Sequence, residues 1–146
     1  LFENYRQRIQ DKNDWDKIVE LKHRGWLAPA QIYLWDLDHA VGFDLVDGLS
    51  RSDVPENNCD VRLGTSSLAY LMKYEWGRGT LLVNARFAAD YEGIHRFLAQ
   101  TQIAYGNNIG LRFPDTLPES VIRDSPSYVA FFARQALKLS QSDPRP

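Results

Sequence analysis

Hydrophobic residues recur at every third or fourth position near the start of the chain. They do so within residues 2–9 and again within residues 15–22. This spacing places them on one face of a helix, so the pattern predicts N-terminal helices within residues 1–26. Either Asn13 or Asp14 is suited to cap the second helix, because both side chains accept hydrogen bonds from free backbone N–H groups.

The spacing then becomes alternating. Residues 31–37 and 41–45 carry hydrophobic side chains at every second position, which is typical of two strands in a hairpin. Asp38 and His39 lie near the expected turn. Residues 50–58 are polar and predict a loop, and residues 59–63 alternate again as a third strand.

A further helix is expected after the hydroxyl side chains at residues 65–67, ending at Trp76 and Gly77. Residues 80–87 alternate and predict a fourth strand, and another helix should begin at Asp90. Residues 109–113 are consistent with a short fifth strand or an extended link.

Three prolines then interrupt regular secondary structure before a final predicted helix at residues 127–139. We therefore predict one α+β domain over residues 1–139, with a sheet-and-helix core at 31–113 and C-terminal helices within 114–139. Residues 140–146 form a polar tail. Strands that are bunched and joined by hairpins favour a mainly antiparallel sheet of four to five strands, with helices packed on one face.

Charge and cysteine content narrow the class of protein. A net charge of −2 gives no electrostatic reason to expect a nucleic-acid partner. The single cysteine, Cys59, excludes an internal disulfide and a zinc site built on cysteines, which suits a reducing, cytoplasmic location. No apolar run reaches the roughly 18–20 residues of a membrane span, so we expect no transmembrane segment.

The start of the chain is informative. It begins with Leu1, and Met72 is its only methionine. We therefore expect a fragment of a longer polypeptide, with an upstream domain as one partner.

Residues 32–111 resemble the sterol-carrier-protein-like family. The resemblance is carried by the acidic strand at Cys59–Leu63, the short serine-led helix at Ser66–Met72 and the following segment at Thr80–Phe87. Two features depart from the family pattern: Ala85 replaces a usual glycine, and Asp90-Tyr91 replaces a Gly-Asp approach to the last helix. The resemblance implies a lipid-binding tunnel between sheet and helices, or a C-terminal module of a larger enzyme such as a metallo-β-lactamase-fold hydrolase.

Candidate chemistry is sparse. Asp36, Asp38, His39 and Asp44 could supply metal ligands by residue type, but a polar strand face and turn beside an aromatic face is the favoured interpretation. No nucleophile, base and orienting group occur in a recognisable arrangement. We accordingly predict no catalytic residues, no metal site and no cofactor in this chain.

An apolar stripe offers the one candidate ligand site, for a lipid or other apolar molecule; the alternative is ordinary core packing. Its residues are Trp35, Phe43, Leu68, Leu71, Met72, Trp76, Phe97, Phe131 and Phe132. The last two also fit a homodimer contact, because aromatic residues are enriched in interface cores. The sequence thus predicts a non-catalytic binding or accessory module. The alternative is the C-terminal part of a metal-dependent hydrolase that mediates dimerisation or closes a substrate site.

Overall fold

The structure, a computed structural model, describes residues 1–91 and 93–114 of the chain. The helices are α1 (Phe2–Lys12), α2 (Trp15–His23), α3 (Thr65–Lys73), α4 (Gly77–Asn84) and α5 (Gly93–Asn108). The strands are β1 (Ala30–Leu34), β2 (His39–Asp44), β3 (Gly48–Ser52), β4 (Val61–Leu63) and β5 (Phe87–Ala89). One turn of 3-10 helix, Glu56–Asn58, precedes β4.

The strands of the described part form one mixed sheet in the order β3-β2-β1-β4-β5. Hairpins join β1, β2 and β3, which pair antiparallel, and β5 is antiparallel to β4. Only β1 and β4 are parallel, with Ile32 opposite Val61 and Leu34 opposite Leu63. The predicted α+β class is confirmed, and the prediction of a mainly antiparallel sheet holds approximately.

The hydrophobic core lies between one face of this sheet and the helices. Alternation along β1 and β4 turns Ile32, Leu34, Val61 and Leu63 to that face, where each is at most 5% exposed. All the described helices add buried residues to the same cluster. The opposite face of the sheet carries polar side chains, among them the hydrogen-bonded pair Gln31 and Ser52.

Gln100 fixes α5 against the rest of the core. Its side chain is fully buried; Oε1 accepts a 2.7 Å hydrogen bond from the backbone N–H of Leu45. Nε2 donates to the carbonyl oxygens of Ala28, at 2.8 Å, and Leu27, at 3.3 Å. One buried amide therefore satisfies backbone groups from segments on both sides of the β1–β2 hairpin, which explains why a polar residue is kept in the core.

The prediction of a strand at residues 80–87 was wrong. Residues 77–84 form α4, and only the short β5 follows at the edge of the sheet. Leu81 is buried, but Val83, which the alternating pattern placed on the same face, is 85% exposed. Gly77 allows the change: a Cβ there would lie 2.6 Å from Leu71 Cα, so only glycine permits α4 to start directly against α3.

Two other segments, residues 50–58 and residues 109–113, also bear on the predicted secondary structure. The predicted polar loop at 50–58 contains the end of β3, because Gly48–Ser52 pairs with β2 along its whole length. Residues 109–113 do not form a strand; Ile109 and Gly110 form a turn directly after α5. Asn107 Nδ2 donates to the carbonyl oxygen of Leu111, and the N–H of Phe113 donates to Asn13 Oδ1. The described part of the chain contains no helix long and apolar enough to cross a membrane.

Candidate functional site

The residues predicted to line an apolar ligand site fall in three places. The buried ones belong to a single core cluster: Phe43, Leu68, Leu71, Met72 and Phe97. Trp35 and Trp76 lie outside it, on the surface, and are 53% and 51% exposed. Phe131 and Phe132, and with them the predicted dimer contact, lie outside the described residues. The structure therefore brings the buried set together and separates the two tryptophans from it.

The two exposed tryptophans mark opposite ends of α3. Trp35 lies against Gly64, just before the helix begins. Trp76 follows the helix, stacks on Tyr74 with ring centroids 4.9 Å apart, and donates from Nε1 to the Tyr70 hydroxyl at 3.1 Å. Much of this aromatic surface remains open to solvent.

The acidic residues around the hairpin of β1 and β2 each bind a different partner and do not form one site. Asp36 Oδ1 accepts from the backbone N–H of Thr65 at 2.9 Å and so caps α3; this hydrogen bond lowers the pKa of the Asp36 carboxyl. Asp38 accepts from the Tyr33 hydroxyl. Asp44 is buried and binds Lys22 at 2.7 Å. Among the described residues no three histidine, cysteine, aspartate or glutamate side chains are grouped as metal ligands.

A buried polar cluster lies where α1, α4 and α5 meet. Arg78 comes from the first turn of α4 and is only 5% exposed. Its Nη1 donates to Gln102 Oε1 at 2.6 Å, and its guanidinium carbon lies 4.7 Å from the centroid of the Tyr105 ring. Its Nε has no hydrogen-bond partner within the described residues.

The charge of Arg78 is not balanced by a carboxylate in the described part of the chain. Burial lowers the pKa of the guanidinium to about 10, and the nearby tyrosines only partly oppose that effect. Its position worsens the imbalance, because the N-terminal end of a helix carries a partial positive charge that disfavours a cation. A buried cation without a counter-ion is costly, so a compensating negative group is expected.

Tyr5 on α1 belongs to the same cluster. Its ring packs on Phe43 of the core with centroids 6.0 Å apart, and its hydroxyl is buried without a partner among the described residues. Desolvation raises the pKa of the Tyr5 phenol, whereas the charges of Arg78 and Arg8 act to lower it. The hydroxyl thus stays protonated as a donor, within the field of two arginines.

A small cleft of about 10 Å³ leads from the surface to Tyr5. That volume is close to the space of one water molecule. The lining residues are Tyr5, Arg8, Ile9, Glu75, Ala104 and Asn107. Arg8 is held by a 2.6 Å hydrogen bond to the carbonyl oxygen of Met72, and Glu75 forms an ion pair with Lys12. The cleft therefore extends from solvent, past the charged side chains of Arg8 and Glu75, to the buried residues Tyr5 and Ile9.

Sequence reasoning missed this cluster. The sequence patterns singled out neither Tyr5 nor Arg78 as a candidate functional residue. An arginine in the first turn of a helix is unusual and could have drawn attention to Arg78. Because residues 80–87 were predicted to form a strand, the helix that begins at Gly77 was not recognised. The cluster became visible only when α4 and α1 were brought together.

Comparisons with protein-family models, with curated proteins and with solved structures found no match. The resemblance to sterol-carrier-protein-like domains therefore stays a prediction. The structure shows an α+β domain with a buried arginine, Arg78, that has no carboxylate partner in the described residues, and a small cleft that ends at Tyr5.

Proposed function

We propose that this chain is a non-catalytic binding module of a larger protein, and that it holds an apolar ligand between its sheet and its helices. The observation that carries the proposal is the cleft that ends at Tyr5. None of the predicted ligand residues lines the cleft itself, but the ring of Tyr5 at its inner end packs on Phe43, which is one of them.

The composition of that layer also supports a ligand role. Met72 lies within it, at the helix end where Arg8 binds the backbone. Methionine fills irregular spaces and changes conformation easily, so the side chains in this part of the core are suited to rearrange around a bound ligand. Each methylene group moved from water into such a site contributes about 0.8 kcal/mol. Burial of an acyl chain would therefore offset part of the cost of widening the cleft.

Titration with a dansyl-labelled undecanoic acid, followed by fluorescence and by native mass spectrometry, tests the proposal. We expect saturable binding at micromolar concentration with a stoichiometry of one. Ala104→Phe should fill the cleft and weaken binding at least about tenfold. Ala88→Phe, on exposed β5, is the matched control and should leave the affinity unchanged. Absence of saturable binding, or equal affinity for both variants and the wild type, would refute the proposal.

The exposed tryptophans favour a second, compatible role as an accessory module. Trp35 and Leu37 before α3 and Trp76 after it are each more than half exposed, and large exposed apolar side chains are frequent in contact surfaces. We propose that the surface around α3 contacts another domain of the same polypeptide. Limited proteolysis of the longer protein should show α3 protected, and Trp76→Ser should remove that protection without changing the fold of the isolated chain.

A further inference from the structure

We propose that residues 127–139, the last predicted helix of the chain, dock on an exposed apolar surface of α4 in the same molecule. This α4 surface consists of Trp76, Thr80 and Val83. A docked segment covers Trp76, so it blocks the accessory contact proposed above until another domain displaces it. The inference goes beyond the proposed function and does not depend on the apolar ligand.

The α4 surface is apolar where a solvent-facing helix would carry charge. Trp76 is the N-cap residue of α4 and is 51% exposed, and Val83, seven residues later, is 85% exposed. Helical spacing places Thr80 between them on the same side. The single charged residue of α4, Arg78, is buried on the other side. Within the described residues, therefore, this face of α4 lacks the cover that an uncharged helix face normally has.

Tyr74 and Tyr70 extend the α4 surface with a flat aromatic area. The Tyr74 ring stacks on Trp76 with centroids 4.9 Å apart, and Tyr70 lies 4.8 Å from Tyr74. Trp76 Nε1 donates to the Tyr70 hydroxyl, so the indole N–H is satisfied and the ring offers apolar area to a partner. Aromatic area of this kind pairs favourably with further aromatic side chains.

The described part of the chain ends near this surface. The N–H of Phe113 donates to Asn13 Oδ1 at 2.7 Å, which holds the end of the described chain at the end of α1. Lys12, the neighbour of Asn13, forms an ion pair with Glu75. Glu75 directly precedes Trp76. A short run of contacts therefore joins the point where the chain leaves Phe113 to the α4 surface.

Residues 127–139 have the chemistry that this surface requires. They lie outside the described residues, and the spacing of Tyr128, Phe131 and Phe132 predicts an aromatic side on a helix. Residues 114–126 form a linker that reaches up to roughly 40 Å when extended, so the tether does not restrict docking. A tether of this kind raises the effective concentration to about millimolar, and a modest aromatic contact is then sufficient.

Fluorine NMR of the full chain labelled with 5-fluorotryptophan tests the inference. Trp76 and Trp35 are 51% and 53% exposed in the described structure, so Trp35 serves as an internal reference. The difference in chemical shift between H2O and D2O reports the solvent contact of each ring. We expect the difference for Trp76, assigned with Trp76→Phe, to be at least about twofold smaller than that for Trp35, because docking removes its exposed area from water. Equal differences for the two rings would overturn the inference.

Two substitutions in the segment identify what covers Trp76. Phe131→Ser should raise the solvent-dependent difference of Trp76 to that of Trp35. Leu137→Ser removes another apolar side chain, from the other side of the predicted helix, and should have no effect. Protection of Trp76 that survives Phe131→Ser would mean that the aromatic side of this segment does not cover the surface, which overturns the inference.

A reciprocal pair of substitutions tests the α4 side. Val83→Lys places on the α4 surface a charge that docking would bury, so it should expose Trp76. Ala88→Lys, on exposed β5, is the matched control and should leave Trp76 protected. Equal protection in both variants would count against docking at this surface.

Dilution separates the chain's own segment from that of a second copy. Protection of Trp76 in the wild type should be unchanged when the protein is diluted about a hundredfold, because the contact is intramolecular. Protection that disappears on dilution would assign the surface to a second copy and overturn the inference. None of these outcomes changes the expected binding of the dansyl-labelled acid, so the proposed ligand role stands or falls separately.

Discussion

Arg96 on α5 holds the buried carboxylate of Asp60 at the start of β4, with Nη2 2.8 Å and Nε 3.0 Å from Oδ1. The other oxygen, Oδ2, accepts a 2.7 Å hydrogen bond from the backbone N–H of Gln31 at β1. Asp60 is 3% exposed, and it links the parallel pair of strands to the helix that covers them. Gly93 is needed in the same place, because a Cβ there would lie 2.8 Å from the Asp60 carbonyl oxygen.

Replacement of Asp60 by alanine should therefore be strongly destabilising. It leaves the Gln31 N–H without its acceptor and removes the charge that pairs with Arg96, so we expect a loss of about 2–4 kcal/mol in the free energy of unfolding. Arg96→Met should cost a similar amount, about 2–4 kcal/mol, because it leaves the buried Asp60 carboxylate without its cation even though Arg96 itself is more than half exposed. Urea denaturation of both variants measures the two losses. A negligible loss for Arg96→Met would contradict this account of the pair.

The two glycines of α4 should respond oppositely to alanine. Gly77→Ala forces a Cβ to within 2.6 Å of Leu71 Cα and 2.7 Å of the Tyr70 carbonyl oxygen, so α3 and α4 must separate. We expect a loss of about 1–3 kcal/mol. At Gly79 the nearest atom would be Tyr105 Cε2 at 3.9 Å, and Gly79→Ala should be neutral or stabilise by up to about 1 kcal/mol. Chemical denaturation compares the two; equal effects would show that the close approach is unimportant.

Alanine is not the most favourable residue for the backbone conformation at position 85. It ends α4 with φ 49° and ψ 38°, in the left-handed region that favours glycine, and its side chain is exposed. Ala85→Gly should therefore stabilise the fold by about 0.5–1 kcal/mol, since it relieves backbone strain and loses no packing. The matched control is Ala88→Gly in β5, where glycine should destabilise by a similar amount. Thermal unfolding decides, and a lower melting temperature for Ala85→Gly would contradict the argument.

The stability that the Asp36 cap contributes to the fold should depend on pH. The hydrogen bond from Thr65 lowers the pKa of Asp36 in the folded state, so the ionised carboxylate favours folding. That stability is present above the unfolded pKa of about 4 and is lost as the pH falls through the folded value. Asp36→Ala should lower the melting temperature at pH 7, and its difference from the wild type should shrink in acid.

Asp36→Asn provides the control for this cap. It keeps an oxygen acceptor for the Thr65 N–H but removes the titrating group, so its stability should not show the additional loss in acid. Melting temperatures measured between pH 2 and pH 7 for the three proteins test the prediction. A wild type and an Asp36→Ala variant that differ by the same amount at every pH would show that the charge has no role.

The alternating and helical patterns by themselves determined α1, α2 and the hairpin of β1 and β2. In β1, the alternation of Ile32 and Leu34 with Gln31 and Tyr33 is local information, and the hairpin with β2 follows from the short turn between them. The predicted strand extended to residue 37, but β1 ends at Leu34 and residues 35–38 form the turn. The same holds for α1 and α2, whose buried residues recur at helical spacing. These elements need no distant contact to be recognised, which is why sequence and structure agree there.

Residues 77–89 show where local pattern fails. Thr80, Leu81, Leu82 and Val83 suit a strand by composition, yet they form a helix because Gly77 lets the chain turn directly against α3 and Ala85 ends it. Only the tertiary structure reveals that contact. The tertiary structure also determined which polar groups are buried. Tyr5 and Arg78 are far apart in sequence, and each has an unsatisfied buried group because the packing of α1 and of α4 against α5 removes it from water.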